Sequence, residues 1–172
     1  MEKYSQDVII SDMMQGKGVF NMIATMKIND PFQAQTVLSM QLRSYKVEAG
    51  LIGTDDIPPL KETTEDLQQC GETFLGWFED GELCGAIAYK KEENEVDIHR
   101  LIVDPVHFRK GIAGKLLQEL ERSHPHSLYK VATAEKNLPA IRFYEKSGYE
   151  KVRTLTINDI LTLVFFEKER RL

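Results

Sequence analysis

One stretch, Ile98 to Glu121 (IHRLIVDPVHFRKGIAGKLLQELE), restricts the rest of the chain more than any other. It opens with an apolar strand, His99 to Val103, and turns at Asp104-Pro105. A short basic loop with glycines follows, Phe108-Arg109-Lys110-Gly111-Ile112-Ala113-Gly114, with a third cation at Lys115. The loop runs straight into an amphipathic helix, in which Ile112, Leu116 and Leu120 recur at i, i+4 and i+8 beside Ala113 and Leu117. A helix start carries several backbone N–H groups without an intrahelical partner and about half a positive charge. Small residues let a ligand come close to that backbone. The expectation is a cradle for a phosphate or pyrophosphate. Glycines that only make a turn are the rival reading. The strand before, the helix after and the adjacent cations favour an anion site. Two other phosphate loops are excluded, since the chain has neither G-x-x-x-x-G-K-[ST] nor a G-x-G-x-x-G with its acidic residue after a second strand.

A second patterned segment lies downstream, Asn137-Leu138-Pro139-Ala140-Ile141-Arg142-Phe143-Tyr144-Glu145-Lys146-Ser147-Gly148-Tyr149. The two segments together resemble the GNAT family, the Gcn5-related N-acetyltransferases. The family's coenzyme A loop reads Gln/Arg-x-x-Gly-x-Gly/Ala, and the frame here is Phe108 to Ala113, with Gly111 and Ala113 in place. Phe108 departs from the family's Gln or Arg, which matters little where main-chain N–H groups are the donors. The downstream segment matches the family's N-x-x-A-x-x-F-Y-x-K-x-G-F/Y. The resemblance implies an α/β fold: a mixed, mostly antiparallel twisted sheet of about seven strands flanked by four helices. Two central parallel strands, Ile98–Val103 and Leu128–Ala134, are expected to splay apart and hold a pantetheine arm. Implied contacts to acetyl-CoA are Leu101, Ile102 and Val103, then Phe108, Arg109, Lys110, Gly111, Ile112, Ala113, Gly114 and Lys115, then Asn137, Ala140, Phe143, Tyr144 and Lys146. The implied reaction is acetyl transfer from acetyl-CoA to an amine. A CoA-binding sensor without turnover, or an acyltransferase with a longer donor, are the alternatives.

An alkyl amine is mostly protonated at pH 7 and attacks a thioester only when neutral, so a base is needed. The strand from Glu95 to Val103 supplies candidates, because successive side chains alternate faces. Val96, Ile98, Arg100 and Ile102 form one face, which should pack on a core helix. Glu95, Asp97, His99, Leu101 and Val103 form the other, polar at its start and apolar where it meets the loop. Asp97 is the first candidate base, at the position of the catalytic glutamate in some members of the resembling family. Glu95 and His99 share its face, and His99 has the better intrinsic pKa. Tyr144 matches the family's tyrosine that acts as general acid toward the CoA sulfur.

The remaining sequence fills in one mixed α/β unit. Residues 1–19 read as an N-terminal extension and 20–172 as a single N-acetyltransferase domain. Asp30-Pro31-Phe32-Gln33 signals a helix start, with Gly50 as its expected stop. Asp80-Gly81 signals a hairpin turn. Lys168 to Leu172 are expected to fray. A net charge of −5 argues against a nucleic-acid partner. No apolar run approaches the ~20 residues that span a bilayer, so no membrane partner is expected. Cys70 and Cys84 lack metal spacing and suit a reducing, cytoplasmic setting. His124 and His126 have no third ligand near them in sequence, so no metal is expected. The acceptor amine is undefined by any motif, although Asp55-Asp56 could attract one. A homodimer through the last strands is the assembly that the resemblance suggests.

Overall fold

The computed structural model describes residues 8–9 and 20–169. Apart from the two-residue strand β1 (Val8–Ile9), the expected N-terminal extension lies outside the described residues, as does the very C-terminus. The chain then forms β2 (Asn21–Met26), α1 (Pro31–Ile52), α2 (Thr64–Gln69), β3 (Thr73–Glu79), β4 (Glu82–Glu92) and β5 (Glu95–Val103). It continues through α3 (Ile112–Ser123), β6 (Leu128–Ala134), α4 (Leu138–Lys146), β7 (Glu150–Thr156) and β8 (Thr162–Glu169). The sheet order is β1-β2-β3-β4-β5-β6-β8-β7, so seven strands make the body and β1 extends one edge. Among the described residues only β5 and β6 pair in parallel. This is the mixed α/β sheet with four helices that the resemblance implied.

Helices cover both faces, which is why β3 and β4 are buried almost continuously rather than in alternation. On one face, Leu116, Leu117 and Leu120 of α3 and Tyr144 of α4 pack on Trp77, Ile87, Val96 and Ile98. On the other, Ala34, Val37 and Leu38 of α1 and Leu67 of α2 pack on Phe74, Phe78, Ala86 and Ile102. Gly85 of β4 brings α3 down onto the sheet, since a Cβ there would lie 2.7 Å from Ile112 Cγ2. Any larger residue would lift the helix start away from the strand ends.

Three expectations are corrected. The first helix does not stop at Gly50. It runs to Ile52 and ends at Gly53, whose φ of 88° gives the left-handed stop and whose N–H donates to the Ala49 carbonyl. Burial of Ala49 and Ile52 beside Ile57 and Ala134 holds the extra turn. Lys168 and Glu169 do not fray. They complete β8, where Lys168 Nζ lies 2.8 Å from Glu121 Oε2.

The third correction concerns β5. Ala88 pairs with Arg100 and Tyr89 with Ile98, so His99 is an extra residue and the strand bulges there. The even residues are all buried, yet they do not share a face. Val96 and Ile98 pack with α3, whereas Ile102 joins the α1 core and Arg100 bonds to Gln41 of α1. Leu101 and Val103 accordingly pack on the α3 and α4 side, opposite to Asp97 and His99. A strict two-residue period would have put all of these odd residues on one wall of a cleft.

Candidate active site

The parallel ladder between β5 and β6 is short. It pairs Glu95–Ile98 with Leu128–Val131 and ends there. Beyond it β5 continues on β4 and β6 continues on β8, so the two strands part and leave a wedge through the sheet. A cavity of about 230 Å³ fills the wedge, lined by His99, Arg100, Leu101 and Thr133 from the strands, Tyr45 and Glu48 from α1, and Asn137, Ala140 and Tyr144 from α4. Because the gap opens the sheet, side chains from both faces meet in it.

A larger cavity of about 630 Å³ adjoins this wedge. Leu101, Val103, Phe108, Arg109, Gly111, Ile112, Ala113, Gly114, Asn137, Ala140, Phe143 and Tyr144 all line it, with Val47, Glu48 and Leu51 of α1 opposite. Twelve of the sixteen residues that the resemblance assigned to CoA therefore share one hollow. The other four send their side chains elsewhere. Ile102 points into the α1 core. Lys110 Nζ lies 2.9 Å from His107 Nδ1 and 3.7 Å from Glu79 Oε2. Lys115 sits over the Trp77 ring, 4.7 Å from its centroid. Lys146, in the last turn of α4, lines neither cavity.

The start of α3 is bare. Gly111 is its N-cap with φ 78°, and no side chain caps the helix. A Cβ built on Gly111 or Gly114 would meet nothing within 4 Å, so open space lies against the first turn. Arg109, itself at φ 64°, is exposed beside it. The loop thus offers unsatisfied N–H groups, a helix dipole and a cation to the cavity, the physical requirements of an anion site.

On α4, Asn137 accepts a hydrogen bond from Ala140 N at 3.2 Å and caps the helix. Ala140 and Tyr144 follow on the same face at i+3 and i+7. Tyr144 is held edge-on by Phe143, at 5.2 Å between centroids, and by Tyr149, at 5.5 Å. Burial, reinforced by the nearby Glu48 charge, raises the Tyr144 phenol above its usual pKa, so the hydroxyl keeps its proton at neutral pH.

The α1 side of the wedge opens into a recess of about 340 Å³ lined by Tyr45, Pro58, Glu62, Glu72, Asp97, His99, Arg100 and Phe165. Arg100 organises it. Its guanidinium donates to Glu72 Oε2 at 2.7 Å, Glu62 Oε1 at 2.9 Å and Gln41 Oε1 at 2.9 Å. His99 stands between two acids, with Nδ1 3.2 Å from Glu72 and Nε2 3.2 Å from Asp97. Of the three expected base candidates, only His99 lines the wedge; Asp97 lines the outer recess. Glu95 stands at the closed end of the ladder, 2.8 Å from Lys130. Asp55 and Asp56 pair with Lys46 and Lys61.

Sequence reasoning missed Glu48 and Tyr45. Both continue the α1 stripe through Gln41, at i+4 and i+7, and a glutamate on the inward stripe of a helix was the available signal. It also missed a group of donors from distant segments. Glu79, Cys84 and His107 place one ligand atom each within 4.8 Å of one another. Lys110 reaches two of these three side chains and supplies the cluster with positive charge.

With the wedge, the bare helix start and the capped tyrosine in view, comparison with known proteins is decisive. Residues 38–149 match the profile of the acetyltransferase (GNAT) family. The chain belongs to this family. A 134-residue stretch, 77% of the chain, is 37% identical to 39% of the UPF0157 protein YqkA of Bacillus subtilis (strain 168). A 76-residue stretch, 44% of the chain, is 34% identical to 49% of the peptidyl-lysine N-acetyltransferase YiaC of Escherichia coli (strain K12). The matched segment thus spans less than half the length of either curated relative. The fold superposes on the PaiA N-acetyltransferase of Thermoplasma acidophilum, a crystal structure in complex with coenzyme A. The TM-score is 0.69 at 23% identity, over 86% of this chain and 99% of that one. Among the described residues no helix is long and apolar enough to cross a membrane.

Proposed function

We propose that this GNAT domain transfers an acetyl group from acetyl-CoA to a primary amine of a small molecule or peptide. The observation that carries the reading is the continuity of three features: a bare helix start, an apolar channel and a wedge holding Tyr144. The loop N–H groups of Gly111 to Gly114, with Arg109, would hold the pyrophosphate. Leu101, Val103, Phe143 and Ala140 would flank the pantetheine arm, and Asn137 the inner end. Acetyl-CoA supplies the activated acetyl group when bound. Tyr144, neutral in its buried setting, gives its proton to the departing sulfur. A group lining the wedge takes the proton of the amine, which approaches from the recess around Asp97 and His99. Tyr45, Phe165 and Pro58 give that recess apolar walls, and its acids suit a cationic acceptor.

Thiol release from acetyl-CoA, followed against a broad panel of alkyl amines and lysine peptides, tests this reading. Turnover with at least one amine is expected. Acetyl-CoA binding with no turnover on any of them would establish the sensor reading instead. We further propose a homodimer through β7, an edge strand exposed along its whole length with Val152 and Leu155 uncovered; sedimentation velocity separates it from a monomer.

A further inference from the structure

We propose that Glu48, on α1, is the catalytic base that takes the proton from the acceptor amine. This inference rests on the acyltransferase reading and deepens it. Three observations carry it. Glu48 lines both the wedge and the CoA-side cavity, as do Leu101, Asn137, Ala140 and Tyr144. It therefore stands where an amine and a thioester would meet. Asn137, whose side chain caps the helix that carries Tyr144, lines the same two cavities beside it. His99, the rival from β5, has both ring nitrogens already facing carboxylates, Glu72 on one side and Asp97 on the other.

The titratable and charged neighbours of this position are Tyr45 on α1, His99 and Arg100 on β5 and Tyr144 on α4, all of which line the same wedge. Burial pushes the Glu48 pKa upward from the ordinary carboxylate value, partly offset by the nearby Asn137 amide. That shift brings a carboxylate closer to the strength that suits a base working near neutral pH.

The protons balance as follows. The acceptor enters as an ammonium and loses one proton to the Glu48 carboxylate, which passes it to water. The nitrogen lone pair then forms the C–N bond as the C–S bond breaks, and the electron pair of that bond goes to sulfur. Tyr144 protonates the sulfur. The second proton leaving nitrogen, now strongly acidic, passes through water and replaces the one Tyr144 gave up. An amide, a free thiol and one released proton are the products.

The test compares wild type, Glu48→Gln and Glu48→Asp on an alkyl amine found in the panel and on an alkoxyamine, which is already neutral at pH 7. With the alkyl amine at pH 7, Glu48→Gln should lower kcat by roughly 10²–10⁴-fold. Acetyl-CoA affinity by calorimetry should stay within about twofold. The deficit should shrink as pH approaches the amine's own pKa of about 10, and with the alkoxyamine at any pH. Glu48→Asp should keep the pH profile of wild type at reduced rate. A deficit that is the same for both acceptors and at every pH would overturn the proposal, as would an unchanged kcat. So would loss of the low-pH limb in His99→Gln but not in Glu48→Gln. Failure of wild type on every amine removes the acyltransferase reading itself, and this inference with it. An active wild type beside an unimpaired variant removes only Glu48.

Discussion

The two sides of the wedge are built in opposite ways. On the side proposed for CoA the surface is main chain and apolar side chain: a helix start without a cap, then Leu101, Val103, Ala140 and Phe143. On the α1 side the surface is a network of charges, Arg100 held among Glu62, Glu72 and Gln41, with His99 and Asp97 at its edge. Main-chain N–H groups are present whatever the side chains are, so the first surface tolerates a residue such as Phe108 at an unexpected position. A network of paired charges depends on each member, because removing one leaves a partner desolvated and unmatched. The first surface suits a ligand that does not vary.

That contrast can be broken at five points. The largest effect is expected where the two sides meet. Tyr144→Phe should lower kcat by roughly 10²–10⁴-fold with acetyl-CoA binding retained; steady-state kinetics with calorimetry checks this, and an unchanged kcat would remove Tyr144 from the chemistry. On the charged side, Arg100→Leu takes away the guanidinium of the buried Glu72 carboxylate, whose side chain is 5% exposed, and leaves only His99 beside it. Chemical denaturation should show a loss of about 3–5 kcal/mol. On the main-chain side, Gly111→Glu adds a carboxylate to the proposed anion site and forces a side chain into a φ of 78°. Its strain of about 1–2 kcal/mol falls on the loop conformation itself, so coenzyme A should bind about tenfold more weakly by calorimetry. Phe108→Ala, by contrast, leaves the main-chain donors in place and should change that affinity little.

The last point is a pH dependence of stability at Glu48. Its pKa is raised on folding, chiefly by burial, so the folded state holds this proton more tightly than the unfolded chain does. The stability this confers is complete below the ordinary carboxylate value and is lost as pH rises through the folded one. Glu48→Gln removes that loss. Thermal denaturation should therefore show the variant gaining on wild type between about pH 4 and pH 8. A gain at pH 4 that vanishes at pH 8 would mean the shift has the other sign.

Local pattern alone carried the sequence reading a long way. The apolar strand, the glycine loop and the 3.6-residue repeat after it placed the helix start, and Asn137 with Pro139 placed α4 and Tyr144. Each of those depends on residues a few positions apart, whose geometry follows from backbone sterics and helix capping. The bulge at His99 was not legible, because it arises from the register between β5 and β4. It moved Leu101 and Val103 to the face opposite Asp97 and His99. Nor was the ion network legible, since Gln41, Glu62, Glu72 and Arg100 come from four separate segments. The sequence by itself determined where a glycine loop opening α3 and an Asn-capped helix carrying Tyr144 would form. Only the tertiary structure decided that α1 brings Glu48 to the junction between them, because a carboxylate's neighbours across the sheet depend on strand pairing and helix docking, not on spacing along the chain.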